Sequence, residues 1–239
     1  MLRYGLRDAH FANYNNLPMV EVASSTLSLR SSFPQLLRDF AILSARSGVA
    51  GEVAALLLHR HFSVESKQLI LEQPVILRDG KKALAAKPEK TSDTGEAMPF
   101  RWHLTADNEF LPLEFTADRY SSGAVPLLAT QSRFLKAYAA ILNEYELSGL
   151  IGLCLAKTEH LTPTQNERLM EETYEDGSVV TVEPLSAISS DSIPTMWMPV
   201  VEMGCKVVNN CQSFCHPQEP PRIHQKTGHM PLPRHYPWS

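Results

Sequence analysis

The last 35 residues hold Cys205, Cys211, Cys215, His216, His224, His229 and His235, interleaved with six prolines between Pro217 and Pro237. Three residues separate Cys211 from Cys215 and four separate His224 from His229, gaps that suit the two ligand pairs of a tetrahedral zinc site. The eight residues between the pairs are fewer than a zinc-finger helix would need. A metal would supply folding energy to a segment poor in apolar residues, so Cys211, Cys215, His224 and His229 are the candidate ligands of one zinc ion. The competing reading packs Cys205 and Cys211 as small hydrophobes and leaves the histidines solvated in a Pro-rich strap.

A second group is His103 with Arg101 and Glu114. If residues 106 to 109 form a hairpin turn, Arg101 faces Glu114 and His103 shares their face of the sheet. Such a trio has the parts of a base, an anion clamp and an orienting group. A plain solvated sheet face with a cross-strand ion pair would carry the same residues, and that reading has the greater weight.

His59-Arg60-His61 has two readings. On an extended segment both imidazoles would face one side at i and i+2. At the end of an Ala/Leu-rich helix they would complement the negative end of the dipole and diverge by about 200°. The helical reading is preferred, so both are assigned to the helix end rather than to a site. Glu171 and Glu172 are neighbours on an expected strand, point to opposite faces and cannot act as a carboxylate pair. Cys154 lies in an apolar run, where its thiol resists ionisation. No phosphate loop, dinucleotide glycine pattern, nucleophile elbow or His-Glu-x-x-His helix is present.

The elements that must position these residues follow from pattern. Ser32-Phe33-Pro34-Gln35 has the form of a capping box with Pro in the first turn, and Leu36, Leu37, Phe40 and Leu43 make one helical stripe. A second helix is expected from Gly51 to His61, completing an early pair. Leu69 to Leu71 and Val75 to Leu77 read as strands next to an Asp79-Gly80 turn, and Lys87 to Met98 as an exposed loop. Phe100, Trp102 and Leu104 should oppose Leu111, Leu113 and Phe115 across a hairpin. Phe134, Leu135, Tyr138, Ile141, Leu142 and Tyr145 repeat as a long helix from Thr130. Leu150 to Ala156 reads as a strand buried on both faces, and Asp176-Gly177 turns a last hairpin. Met196-Trp197-Met198-Pro199 is expected in the core.

These elements predict an α+β fold: a largely antiparallel sheet packed with the early helix pair and the one long later helix, followed by an irregular Cys/His/Pro-rich C-terminal tail. Residues 1–204 would form a single domain and 205–239 the tail. At 239 residues and 44% hydrophobic content the chain can bury a core without staples. A net charge of -4 disfavours nucleic acid as a partner. No run approaches the roughly 20 apolar residues of a membrane span, and the N-terminus lacks a signal-peptide pattern. Together with cysteines read as reduced, this predicts a soluble cytoplasmic protein. The leading functional expectation is a small-molecule enzyme or ligand-binding protein, with a pocket between sheet and helices or under the tail. The alternative is a non-catalytic protein-interaction module that docks through its Pro-rich tail, with or without zinc.

Overall fold

Three of the expected turns organise the chain. The structure, a computed structural model, describes residues 10–93, 97–117, 131–156, 158–174, 177–201 and 207–216. Its strands are β1 (Val53–Leu57), β2 (Gln68–Ile76), β3 (Lys82–Lys90), β4 (Met98–Leu104), β5 (Phe110–Thr116), β6 (Ile151–Leu155), β7 (Glu167–Tyr174), β8 (Gly177–Pro184), β9 (Ile193–Val201) and β10 (Val207–Cys215). Its helices are α1 (His10–Asn15), α2 (Val20–Ser28), α3 (Phe33–Arg46) and α4 (Ser132–Glu144). The β2–β3 hairpin turns at Gly80, whose φ of 84° is open to glycine and strained for other residues. The β7–β8 hairpin pairs Glu167 with Pro184 through to Tyr174 with Gly177.

The β4–β5 hairpin also forms, with a different register. Its turn takes in Thr105, which receives the closing contact from Glu109 through its backbone N–H donating to the Glu109 carbonyl at 2.9 Å, and Asn108 sits at a φ of 58°. Leu104 therefore pairs with Phe110 and Trp102 with Pro112. A bulge then restores Arg101 opposite Glu114.

These hairpins do not form the predicted largely antiparallel α+β sheet. The ten strands close into a mixed barrel in the order β1-β6-β4-β5-β2-β3-β8-β7-β10-β9. Closure comes from β1 against β9, where Ala55 pairs with Trp197 and Leu56 with Met196. Two parallel contacts, β2 with β5 and β7 with β10, join the hairpins. Nothing local encodes these long-range pairings, whereas a closed barrel leaves no bare strand edge.

Two further expectations are corrected. The Gly51 to His61 segment is not a helix: it is β1 followed by an extended stretch, and every β1 residue is buried. An apolar run covered on both sides has no period that separates a strand from a helix. The described part of the expected irregular tail is β10, a barrel strand, with His216 after it; residues 205, 206 and those beyond His216 lie outside the description.

Alternation sorts the wall into two faces. Val53, Ala55 and Leu57 of β1, with Ile151, Leu153 and Leu155 of β6 and Phe100 and Trp102 of β4, pack outward against α3 and α4. Ala54, Leu56 and Cys154 point the other way and meet Leu84, Leu169, Val180 and Met196. Gly152 lets the layers approach, because a Cβ there would collide with the Trp102 carbonyl oxygen and lie 2.6 Å from Leu58 Cδ2. α3 begins at Phe33 as expected, although Ser32 makes no side-chain cap. Among the described residues, no helix is long and apolar enough to cross a membrane.

Candidate metal centre

Beyond β1 the chain stays extended and is pinned on both sides. Leu58 N–H donates to the Leu150 carbonyl at 2.8 Å and Arg60 N–H to that of Pro18 at 2.9 Å. His59 and His61 thus fall at i and i+2 on one side, the geometry a strand imposes. Both are buried, which overturns their assignment to a helix end. Glu171 from β7 and Cys215, the last residue of β10, are partners in the parallel ladder and reach the same point. Glu172, next to Glu171, is exposed, as alternation requires.

One donor atom from each of His59, His61, Glu171 and Cys215 lies within 4.8 Å of every other, and all four residues are buried. The two Nε2 atoms are 3.1 Å apart. Cys215 Sγ lies 3.5 Å from His59 Nε2, 3.9 Å from His61 Nε2 and 3.8 Å from Glu171 Oε2. His61 Nε2 is 3.1 Å from Glu171 Oε1. Around a tetrahedral zinc with ordinary bond lengths, two nitrogens would be separated by about 3.3 Å and a nitrogen and a sulfur by about 3.6 Å. The imidazole–imidazole and thiol–imidazole edges, at 3.1, 3.5 and 3.9 Å, lie within about 0.3 Å of those values.

The outer contacts aim the donors inward. His59 Nδ1 is 2.7 Å from the Leu57 carbonyl, which can only accept, so Nδ1 carries the proton and Nε2 of the neutral ring keeps its lone pair. His61 Nδ1 is 2.6 Å from Thr173 Oγ1. The Ser178 hydroxyl donates to Glu171 Oε1 at 2.6 Å. Metal-binding histidines are held in this way, by a partner on the far ring nitrogen.

Three carboxylates, Glu72, Glu114 and Glu171, are buried around the guanidinium of Arg101, which feels all three. Burial raises the Glu114 carboxyl against the pull of Arg101. Burial and His61 push the His59 imidazole down to about 3. Burial also acts against charge on His61, but Glu171 and Cys215 outweigh it and hold that imidazole well above its usual value. The Glu171 carboxyl is held well below the usual range despite its burial, by His61 and then Arg101. Burial and Glu171 push the Cys215 thiol up. A single His61 Nε2–H thus faces the His59 lone pair and the Glu171 carboxylate together, at the position a cation would take.

Of the four tail residues read as zinc ligands, Cys215 is in this cluster. Cys211 lies on β10, where it pairs with Trp197, and its side chain is outside the described residues, as are His224 and His229. Arg101 and Glu114 do meet, with Arg101 Nη1 donating to Glu114 at 3.1 Å. Their side chains are 13% and 7% exposed, so the polar face expected to meet water lies inside the protein. Arg101 Nη2 is also 3.7 Å from Glu171 Oε2, which joins this pair to the cluster. His103 is half-buried opposite Leu111 and is not one of the four donors. The i, i+2 spacing of His59 and His61 is the sequence signal for the site, and a helix over Gly51 to His61 hides it.

Comparison with protein-family profiles, curated proteins and solved structures yields no match, so the cluster is interpreted from its own geometry.

Proposed function

We propose that this protein is a metalloprotein whose barrel holds one divalent transition-metal ion, zinc by preference, between His59, His61, Glu171 and Cys215. The observation that carries this reading is the convergence of four donors, from three separated segments, at tetrahedral spacings with both imidazoles presenting Nε2. The two anionic ligands, thiolate and carboxylate, balance a divalent charge, and the mixed nitrogen, sulfur and oxygen set suits zinc. The ion would tie the β7–β10 contact, only three residue pairs long, to the segment after β1. It would also sit beside a cavity of about 30 Å³, which favours small-molecule chemistry or binding over a purely structural staple.

Metal analysis of the purified full chain tests this. About one equivalent of zinc per chain is expected, lost in Cys215→Ser and retained in Glu172→Gln. Zinc at 100 times its Kd should stabilise the stripped wild type by about 2.7 kcal/mol and leave Cys215→Ser unchanged. A stripped wild type whose melting temperature ignores zinc, cobalt and iron(II) would sink the reading.

A further inference from the structure

The four donors are not equally enclosed. His59 and Glu171 line the cavity of about 30 Å³, whereas His61 and Cys215 do not. The open space therefore borders the His59–Glu171 edge of the tetrahedron. Arg101 and Glu72 line the same cavity, and Leu84 and Val180 are part of its apolar wall. It thus offers a donor, an acceptor and a low-dielectric surround beside the place where an ion would sit.

We infer that an ion held by this cluster keeps one coordination position across the His59–Glu171 edge, open to water or to a ligand of two or three heavy atoms seated between Arg101 and Glu72. This rests on the metal-site reading proposed above. Zinc has no geometric preference from its d electrons and expands from four to five ligands in some catalytic sites, and the adjoining space gives a fifth ligand room here. The volume sets the ligand class. One water needs about 10–15 Å³ measured in this way, so 30 Å³ holds roughly two water-sized positions. A small inorganic ligand fits, whereas a five-membered ring does not. The Arg101 guanidinium is held in place by Glu114 and Glu171, and its position does not depend on the arriving ligand.

The full chain, stripped and reloaded with Co²⁺, separates the two claims. Visible cobalt bands and a thiolate-to-cobalt charge-transfer band that disappears in Cys215→Ser would report the ion at the cluster. Sodium azide should then cause a saturable loss of visible intensity as a fifth ligand binds, while imidazole at equal concentration should cause no change. Val180→Leu, which adds one methylene to the cavity wall, should keep the cobalt spectrum and lose the azide response. If cobalt never gives the charge-transfer band, the metal centre itself falls. If it does and azide changes nothing, only the open position falls. An imidazole response equal to that of azide would overturn the size limit, and an azide response intact in Val180→Leu would place the ligand elsewhere.

Discussion

On the outer face of the barrel, Ala55, Leu57, Leu153 and Trp102 meet Phe40, Phe134 and Tyr138 in an apolar layer. On the inner side, His59, His61, Glu171 and Cys215 are as thoroughly buried, with Arg101 and Glu114 beside them, and Cys215 also borders the apolar layer. The outer layer is complete as it stands: Phe40 packs 4.7 Å from Tyr138 between ring centroids, and Tyr138 stacks on Phe110 at 6.0 Å. Its stabilisation scales with the apolar area removed from water. The inner cluster gains nothing from burial as such, because buried charge is costly unless it is paired. Burial therefore stabilises one face of the wall by itself and the other only through the pairing of its charged groups.

The sharpest way to break this comparison is to remove the outer packing. Phe40, fully buried on α3, should cost about 3–5 kcal/mol as Phe40→Ala, read from denaturant midpoints, with metal stoichiometry of the folded fraction unchanged. A variant that stays folded but no longer binds metal would show that the two faces are coupled.

Next in size is the pH dependence. Near neutrality the metal-free protein carries protons on His61 and Cys215, and an ion must displace both. Affinity should rise by about 100-fold per pH unit, two protons being released per ion. Calorimetry in buffers of different ionisation enthalpy counts them, and a pH-independent affinity would contradict the protonation pattern. Metal-free stability behaves differently. His61 titrates above its unfolded value of about 6.5, so its contribution is complete below that pH and is lost as pH rises. His59, pushed down to about 3, destabilises the fold as pH falls from about 6.5, since the unfolded chain takes a proton that the folded one refuses. For this pair the melting temperature of stripped protein should peak near pH 6.5. A monotonic pH profile would remove the two-histidine account.

A finer test of the inner face is Thr173→Val, which removes the contact to His61 Nδ1. Metal affinity should fall by about 10–100-fold with little change in metal-free stability, as measured by competition with a chromophoric chelator. Unchanged affinity would leave Thr173 no orienting role. The smallest effect belongs to Tyr138→Phe on the outer face, whose hydroxyl donates to the Gly152 carbonyl at 3.0 Å. It should cost about 1 kcal/mol in thermal melts and leave metal affinity untouched.

The local layer of this fold was legible in the sequence. Helix α3, the helix built on Phe134, Leu135 and Tyr138, the Asp79-Gly80 turn, the doubly buried β6 and the β7–β8 hairpin each follow from period, turn chemistry or both. So did the Arg101–Glu114 pairing, though a bulge rather than a simple count delivers it. Each depends on residues within 17 positions of one another, the span from Glu167 to Pro184. The barrel did not follow, because its closure depends on Ala55 meeting Trp197 and on Glu171 meeting Cys215, contacts between segments far apart in the chain. The four-donor cluster did not follow either. The Ala54 to Leu58 run is apolar throughout because both faces are covered, so periodicity could not distinguish β1 from a helix, and the helix would have splayed His59 from His61. Sequence determined which residues could be ligands and which pairs could turn back on each other. Tertiary structure alone decided that Glu171 and Cys215 share a ladder and that two histidines from the opposite end of the chain lie against it.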